Sequence, residues 1–371
     1  MMQRHCYALM LVVCLVFVSF HAQATEIEEN DNTTEQGQVL LWKINKTGSK
    51  ALLPDISLIG MVAGAYFRDD PANAQGPNPS RTGFNFQGAE LAIQSVVDPY
   101  IRGDVFIHFM EDAFEVEELY ITTLSLPLNL QFKVGKMRAH FGRENLQHVD
   151  SMSFVDYSRL RRYFLGNEGF VEWGSELSVL LPVKWFSEIT FGFYQGMNDD
   201  NFNSPDKSDF AYLTHIKNAF DITVHTTVQL GLSGSWGNNG TASGNLTQIY
   251  GADFYVRWRP SDRKGIKWQT EYYYRRLQDV GTTAVEGGLT SQFIYQFAKR
   301  WETGVRFDAV GFPDNGFKQY QASPMLTFLA TEFFRLRTQY NYLHIDGVAK
   351  KQHEVFLQMI FNMGPHGAHA F

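Results

Sequence analysis

Arg138, Arg143, Arg159, Arg161 and Arg162 crowd one connecting segment, 138–169, together with His140, His148, Asp150 and Asp156. Guanidinium groups at this density make an anion-attracting surface, and arginines ringing a pore favour anions. That chemistry requires the segment to fold inward. Left on a rim, the same residues would form only a solvated loop.

A second set of charges is spread at alternating positions of short segments. It comprises Arg102 and Asp104, Glu118, Lys133, Glu172 and Glu176, Glu188, and Asp253. It continues through Lys267, Glu271 and Arg275, Arg306 and Asp308, then Arg335 and Arg337. Mixed signs suit a small polar or zwitterionic solute as well as an anion. A third set, His366 and His369, offers weak metal candidates. Paired histidines can ligate a divalent ion, but at this spacing on a strand they point to opposite faces. The tail therefore reads as a strand end needed for assembly. His108, His215 and His225 have no hydroxyl-and-acid motif around them. No phosphate loop, dinucleotide fingerprint or HExxH pair occurs. The chain is expected to be no enzyme and to carry no cofactor.

The elements that position these charges alternate. From Tyr100 to Phe109, the side chains of Arg102, Asp104 and His108 share one face, while Ile101, Val105, Ile107 and Phe109 share the other. A period of two is a strand, and two unlike faces mean two unlike solvents. The pattern recurs sixteen times, from 56–67 to 352–363, and predicts an all-β, transmembrane antiparallel barrel. Strand eight is expected at 208–219 and strand nine at 223–236, with a turn at Asp221. Even-numbered strands are followed by short turns, odd-numbered ones mostly by longer polar loops: 68–83, 138–169, 196–207, 238–246, 278–286 and 344–351. Such sorting separates periplasmic turns from extracellular loops. An arginine on the lipid face at mid-membrane costs about 2–4 kcal/mol, so the charged faces line the lumen.

Residues 1–24 read as a signal peptide removed on export, with Arg4, the apolar run 8–20 and the small-residue site Ala22-Gln23-Ala24. Both cysteines, Cys6 and Cys14, lie in it, so the remainder has no thiolate chemistry. Residues 25–54 are acidic and read as a disordered periplasmic lead-in. Residues 55–371 form the barrel, ending on Phe371, an aromatic of the kind outer-membrane assembly machinery reads. Aromatics make up 15% of the chain, as interfacial girdles require. A formal charge of −7 with mixed signs argues against a nucleic-acid partner. Outer-membrane lipid and a small solute are the expected partners, and the bacterial outer membrane the expected location.

The stretch Val134-Gly135-Lys136-Met137-Arg138-Ala139-His140-Phe141-Gly142-Arg143-Glu144 resembles the signature that precedes the long loop in the phosphate-selective porin family. His140 stands where that family has proline. The resemblance implies a sixteen-stranded channel, often trimeric, with a basic lumen. The tail from Gly364 to Phe371 resembles barrels labelled zinc-regulated or TonB-dependent outer-membrane receptors. Energy-coupled receptors need a sizeable plug, and only residues 25–54 precede the first strand. The expected function is passive diffusion of small polar or anionic solutes, narrowed by segment 138–169. The alternative is a plugless receptor or uptake barrel for a metal or small nutrient.

Overall fold

The computed structural model describes residues 54–68, 78–198, 200–313 and 318–364. The expected signal peptide, the lead-in up to residue 53, His366, His369 and Phe371 lie outside these.

The alternating segments close into one antiparallel barrel of sixteen strands. The first eight are β1 (Asp55–Phe67), β2 (Gly83–Asp98), β3 (Ile101–Phe109), β4 (Phe114–Thr123), β5 (Leu130–Arg138), β6 (Val171–Leu180), β7 (Phe186–Tyr194) and β8 (Ala211–Thr223). The rest are β9 (Thr226–Asn238), β10 (Leu246–Trp258), β11 (Gly265–Asp279), β12 (Thr282–Ala298), β13 (Trp301–Pro313), β14 (Gln319–Leu329), β15 (Phe334–Ile345) and β16 (Gln352–Met363). β16 pairs with β1 from Leu58 opposite Met363 to Phe67 opposite Glu354, so the wall has no unpaired edge. Strands of 9 to 17 residues match or exceed the ~9–11 that a tilted strand needs to cross a bilayer.

Side chains sort by solvent. Leu230, Leu232, Trp268, Tyr272, Phe293, Val355 and Leu357 are exposed on the outside. Gln269, Glu271, Thr290, Asp308, Gln339 and Gln358 are buried inside. Trp185, Trp301 and Phe328 sit near the short-turn end, and Trp173, Tyr212 and Trp236 near the long-loop end, as girdles do. One strand departs from the polar lining. β1 turns Ile59, Met61, Ala63 and Ala65 inward, all buried.

Two expected connections are corrected. Asp221 is not a turn: it pairs with Thr227, whose hydroxyl donates to its carboxylate at 2.7 Å, and the chain reverses at Val224-His225. The loop expected over 278–286 is a two-residue turn, Val280-Gly281. Thr282, Thr283 and Ala284 pair with Asp279, Gln278 and Leu277, extending the hairpin. Gly281 has φ +74°, a conformation that tight hairpins require and that glycine adopts without strain.

Candidate functional site

Residues 139–170 leave β5 at the long-loop end and run across the interior. Near the start, Gly142 N–H donates to Ser233 Oγ on β9 at 2.9 Å. Gly142 has φ +63°, and a Cβ there would lie 2.3 Å from Tyr273 Oη, so the crossing needs glycine. Arg143 donates to Gln229 on β9 at 2.7 Å and stacks on Tyr255 of β10, 3.9 Å from the ring centroid. The backbone N–H groups of Arg143 and Glu144 both donate to the Glu271 carboxylate on β11, at 3.2 and 2.8 Å. Only a few residues later His148 reaches the far wall. It bonds Glu90 on β2 at 2.8 Å and Glu118 on β4 at 2.7 Å. The two anchor points are centred on β10 and β3, seven strands apart in a ring of sixteen, so the segment spans the lumen.

The second half of the segment fills the β11–β16 and β1 side. Val149, Met152 and Tyr157 pack on Ile59, Met61 and Ile360, which explains the apolar inner face of β1. Met152 and Phe154 carbonyls accept from Arg337 at 2.9 and 3.0 Å. Asp156 is a buried hub: it accepts from Arg306 at 2.9 Å, Gln339 at 2.6 Å, Asn341 at 3.1 Å and Gln321 at 3.2 Å. Ser158 then caps helix α1 (Arg159–Leu165), its hydroxyl accepting from Arg161 N–H at 3.1 Å and donating to Glu144 at 2.5 Å. The apolar side of α1, Leu160, Phe164 and Leu165, enters a core with Phe141, Tyr273 and Val310. Asn145 closes the segment by binding Ala139 and Phe170 carbonyls at 2.8 and 3.1 Å.

This course changes what the arginines do. Arg159 and Arg161 are buried: Arg159 donates to Gln321 at 2.7 Å, and Arg161 stacks on Tyr157 and donates to the Glu168 carbonyl. Arg162 is half-buried on α1. Arg138 is clamped by Glu117, Arg306 is held by Asp156 and Asp308, and Arg275 pairs with Glu286 at 2.5 Å. Arg337 is spent on carbonyls of the crossing segment. Glu176 accepts from the His140 N–H and the Tyr194 hydroxyl, and its other oxygen is 2.6 Å from His140 Nδ1. These groups pin the segment to the wall instead of facing water. Lys267, 3.6 Å from Glu302, and Arg335 lie at the short-turn mouth, beside cavities of about 210 and 790 Å³.

Beside the first half of the segment, further open space lies on the β2–β10 side. A cavity of about 280 Å³ is bordered by Arg102, Asp104, Gln131, Lys133, His140 and His148. A smaller one of about 50 Å³ shares His140 and Leu146 with it and is bordered by Arg143, Glu188, Lys217 and Asp253. Arg102 is neutralised by Asp104 at 2.5 Å. Lys133 lies over the Tyr120 ring, and Arg143 is bound to an amide; among the described residues neither has a carboxylate within ion-pair distance. Glu118, Glu188 and Asp253 border the same spaces, so both signs of charge line this side.

Where the segment meets β11, Glu144 and Glu271 lie close together. Burial, reinforced by the Glu271 charge, pushes the Glu144 carboxyl up to about 7. Burial alone would lower the His148 imidazole, yet the Glu90 and Glu118 carboxylates reverse that and raise it to about 10. Glu90, Glu117 and Gln321 were not singled out by sequence. The available signal was a pair: Glu117 beside Glu118 breaks the period of two. His215, considered for catalysis, is 2.9 Å from Ser233 Oγ, which is already engaged by Gly142 N–H, and His225 is in an exposed turn.

The fold is that of porin-type outer-membrane barrels. No family model matches the chain. It is 29% identical over 388 residues to an uncharacterized protein of Aquifex aeolicus, covering 89% of this chain and 82% of that one. Among solved structures it is similar to the outer-membrane channel DcaP of Acinetobacter baumannii, with TM-score 0.59, 12% identity and coverage of 84% and 98%. It is likewise similar to an anion-selective porin of Comamonas acidovorans, with TM-score 0.58, 10% identity and coverage of 84% and 100%. The trimer form of OmpT from Vibrio cholerae matches at TM-score 0.57, 10% identity and the same coverage.

Proposed function

We propose that this chain is an outer-membrane porin, a passive diffusion channel for small polar or anionic solutes. The observation that carries the reading is the crossing segment. It fills one side of a barrel that would otherwise be too wide for its own side chains to fill, and it leaves a charged passage on the other. Solutes pass between β2–β10 and the segment, with Lys133 and Arg143 supplying the anion preference and Asp104, Glu188 and Asp253 moderating it. The buried Arg159 and Arg161 act as anchors, so replacing them would disturb the segment before it changed selectivity. Replacing Lys133 and Arg143 with Ala together should shift the reversal potential in asymmetric salt toward cations, with the barrel intact. An unchanged reversal potential would place the passage elsewhere. A homotrimer is part of the proposal, supported by the family resemblance and by the trimeric form of a structural neighbour; a monomer in native mass spectrometry would remove it.

A further inference from the structure

Two β-bulges meet on the inner wall of β2–β4. In β2 the pairing with β1 slips between Met61 and Val62, leaving Gln87 as the extra residue. In β4 the pairing with β3 slips between Phe106 and Ile107, leaving Glu117 as the extra residue. A regular strand would send Glu117 and Glu118 to opposite faces; the bulge buries both inside. Between the two bulges His108 packs over Gly88, where a Cβ would lie 1.8 Å from Nε2. The crossing segment lays His148 against the same spot.

The hydrogen bonds assign the ring nitrogens. Gln87 O, 3.3 Å from His108 Nε2, can only accept, so that nitrogen donates and in the neutral ring Nδ1 carries the lone pair a metal would use. His148 Nε2 faces Glu118 at 2.7 Å, the arrangement in which a carboxylate orients a metal-binding imidazole. The Nδ1 atoms of His148 and His108 are 3.6 and 4.0 Å from Glu117 Oε2, and His148 Nδ1 is 2.8 Å from Glu90 Oε2. Among the described residues Glu90 Oε1 and Glu117 Oε2 accept no hydrogen bond, although Glu90 is 2% and Glu117 7% exposed. Ligand atoms around a tetrahedral ion at ~2.0–2.2 Å stand ~3.3–3.6 Å apart, and the observed spacings bracket that value.

We propose that Glu90, Glu117, His148 and His108 bind one divalent transition cation. Imidazole with carboxylate favours a zinc-like ion over calcium or magnesium. The ion would join β2, β3 and β4 to the crossing segment, and the adjoining cavity gives it a route in. The site stands whether or not the barrel conducts, because binding is read directly.

The test uses the full chain folded in detergent and stripped by chelator. It is titrated with Co²⁺, followed by visible ligand-field absorption, and with Zn²⁺, followed by calorimetry. One equivalent should bind, with the absorption of a four-coordinate imidazole site and a raised Tm. Glu117→Gln should weaken binding about tenfold or more, and His148→Ala at least as much. His353→Ala and the double variant His366→Ala/His369→Ala should leave it unchanged. Should His148→Ala loosen the segment, Glu117→Gln, nearly isosteric, decides. Unchanged affinity in a folded Glu117→Gln barrel overturns the site. So does an absence of binding in the wild type.

Discussion

Asp156 has most at stake of any residue in the crossing segment. It is buried and neutralises Arg306, which retains only Asp308 if Asp156 is lost. Asp156→Asn would withdraw one of the two carboxylates that balance Arg306 and one of the two oxygens that accept from Gln321, Gln339 and Asn341, and should cost about 3 kcal/mol. The direct measurement is trypsin cleavage after Arg159, Arg161 and Arg162: resistant in the wild type, cut in the variant. Glu144 contributes to the pH dependence. Its folded pKa of about 7 lies above its ordinary value, so its contribution is fully present below about pH 4.5 and is lost as pH rises through 7. Tm should fall between pH 5 and pH 8 in the wild type, by several degrees. Glu144→Gln should flatten this part of the profile. Parallel profiles for the two proteins would remove Glu144 as the cause.

The strands were readable and the crossing segment was only partly so, for a physical reason. A strand's period of two is local, and Arg102–Asp104 or Lys267–Glu271 display it within five residues. Strand eight was displaced because Asn218, Ala219, Phe220 and Asp221 carry little contrast between faces. Its turn follows from pairing with β9, which no single strand encodes. The Arg-rich segment and its inward fold were also legible, but its course depends on pairs such as Asp156 with Arg306, 150 residues apart. Hence the arginines were expected to face solute, whereas several are anchors. The inner amides Gln321, Gln339, Asn341 and Gln358 carried the overlooked signal of a docking surface. If the segment is the restriction, replacing 144–165 with a short Gly-Ser linker should raise single-channel conductance roughly twofold or more. A folded barrel of unchanged conductance would show that the segment does not limit flow.

At the scale of the whole molecule, closure and filling do different work. Hydrogen bonds from β1 round to β16 leave no edge, and the outward Leu, Phe and Trp side chains match lipid. Inside, the apolar contacts of Phe141, Phe164 and Val149 with the wall give one side a core, as in a soluble protein. The remaining side keeps charge and space. The central claim is that this side is a through passage. The most direct measurement is single-channel recording of the wild-type chain in a planar bilayer with asymmetric KCl. The account predicts discrete conductance steps and a reversal potential modestly favouring chloride. A correctly folded barrel that shows no steps would contradict it.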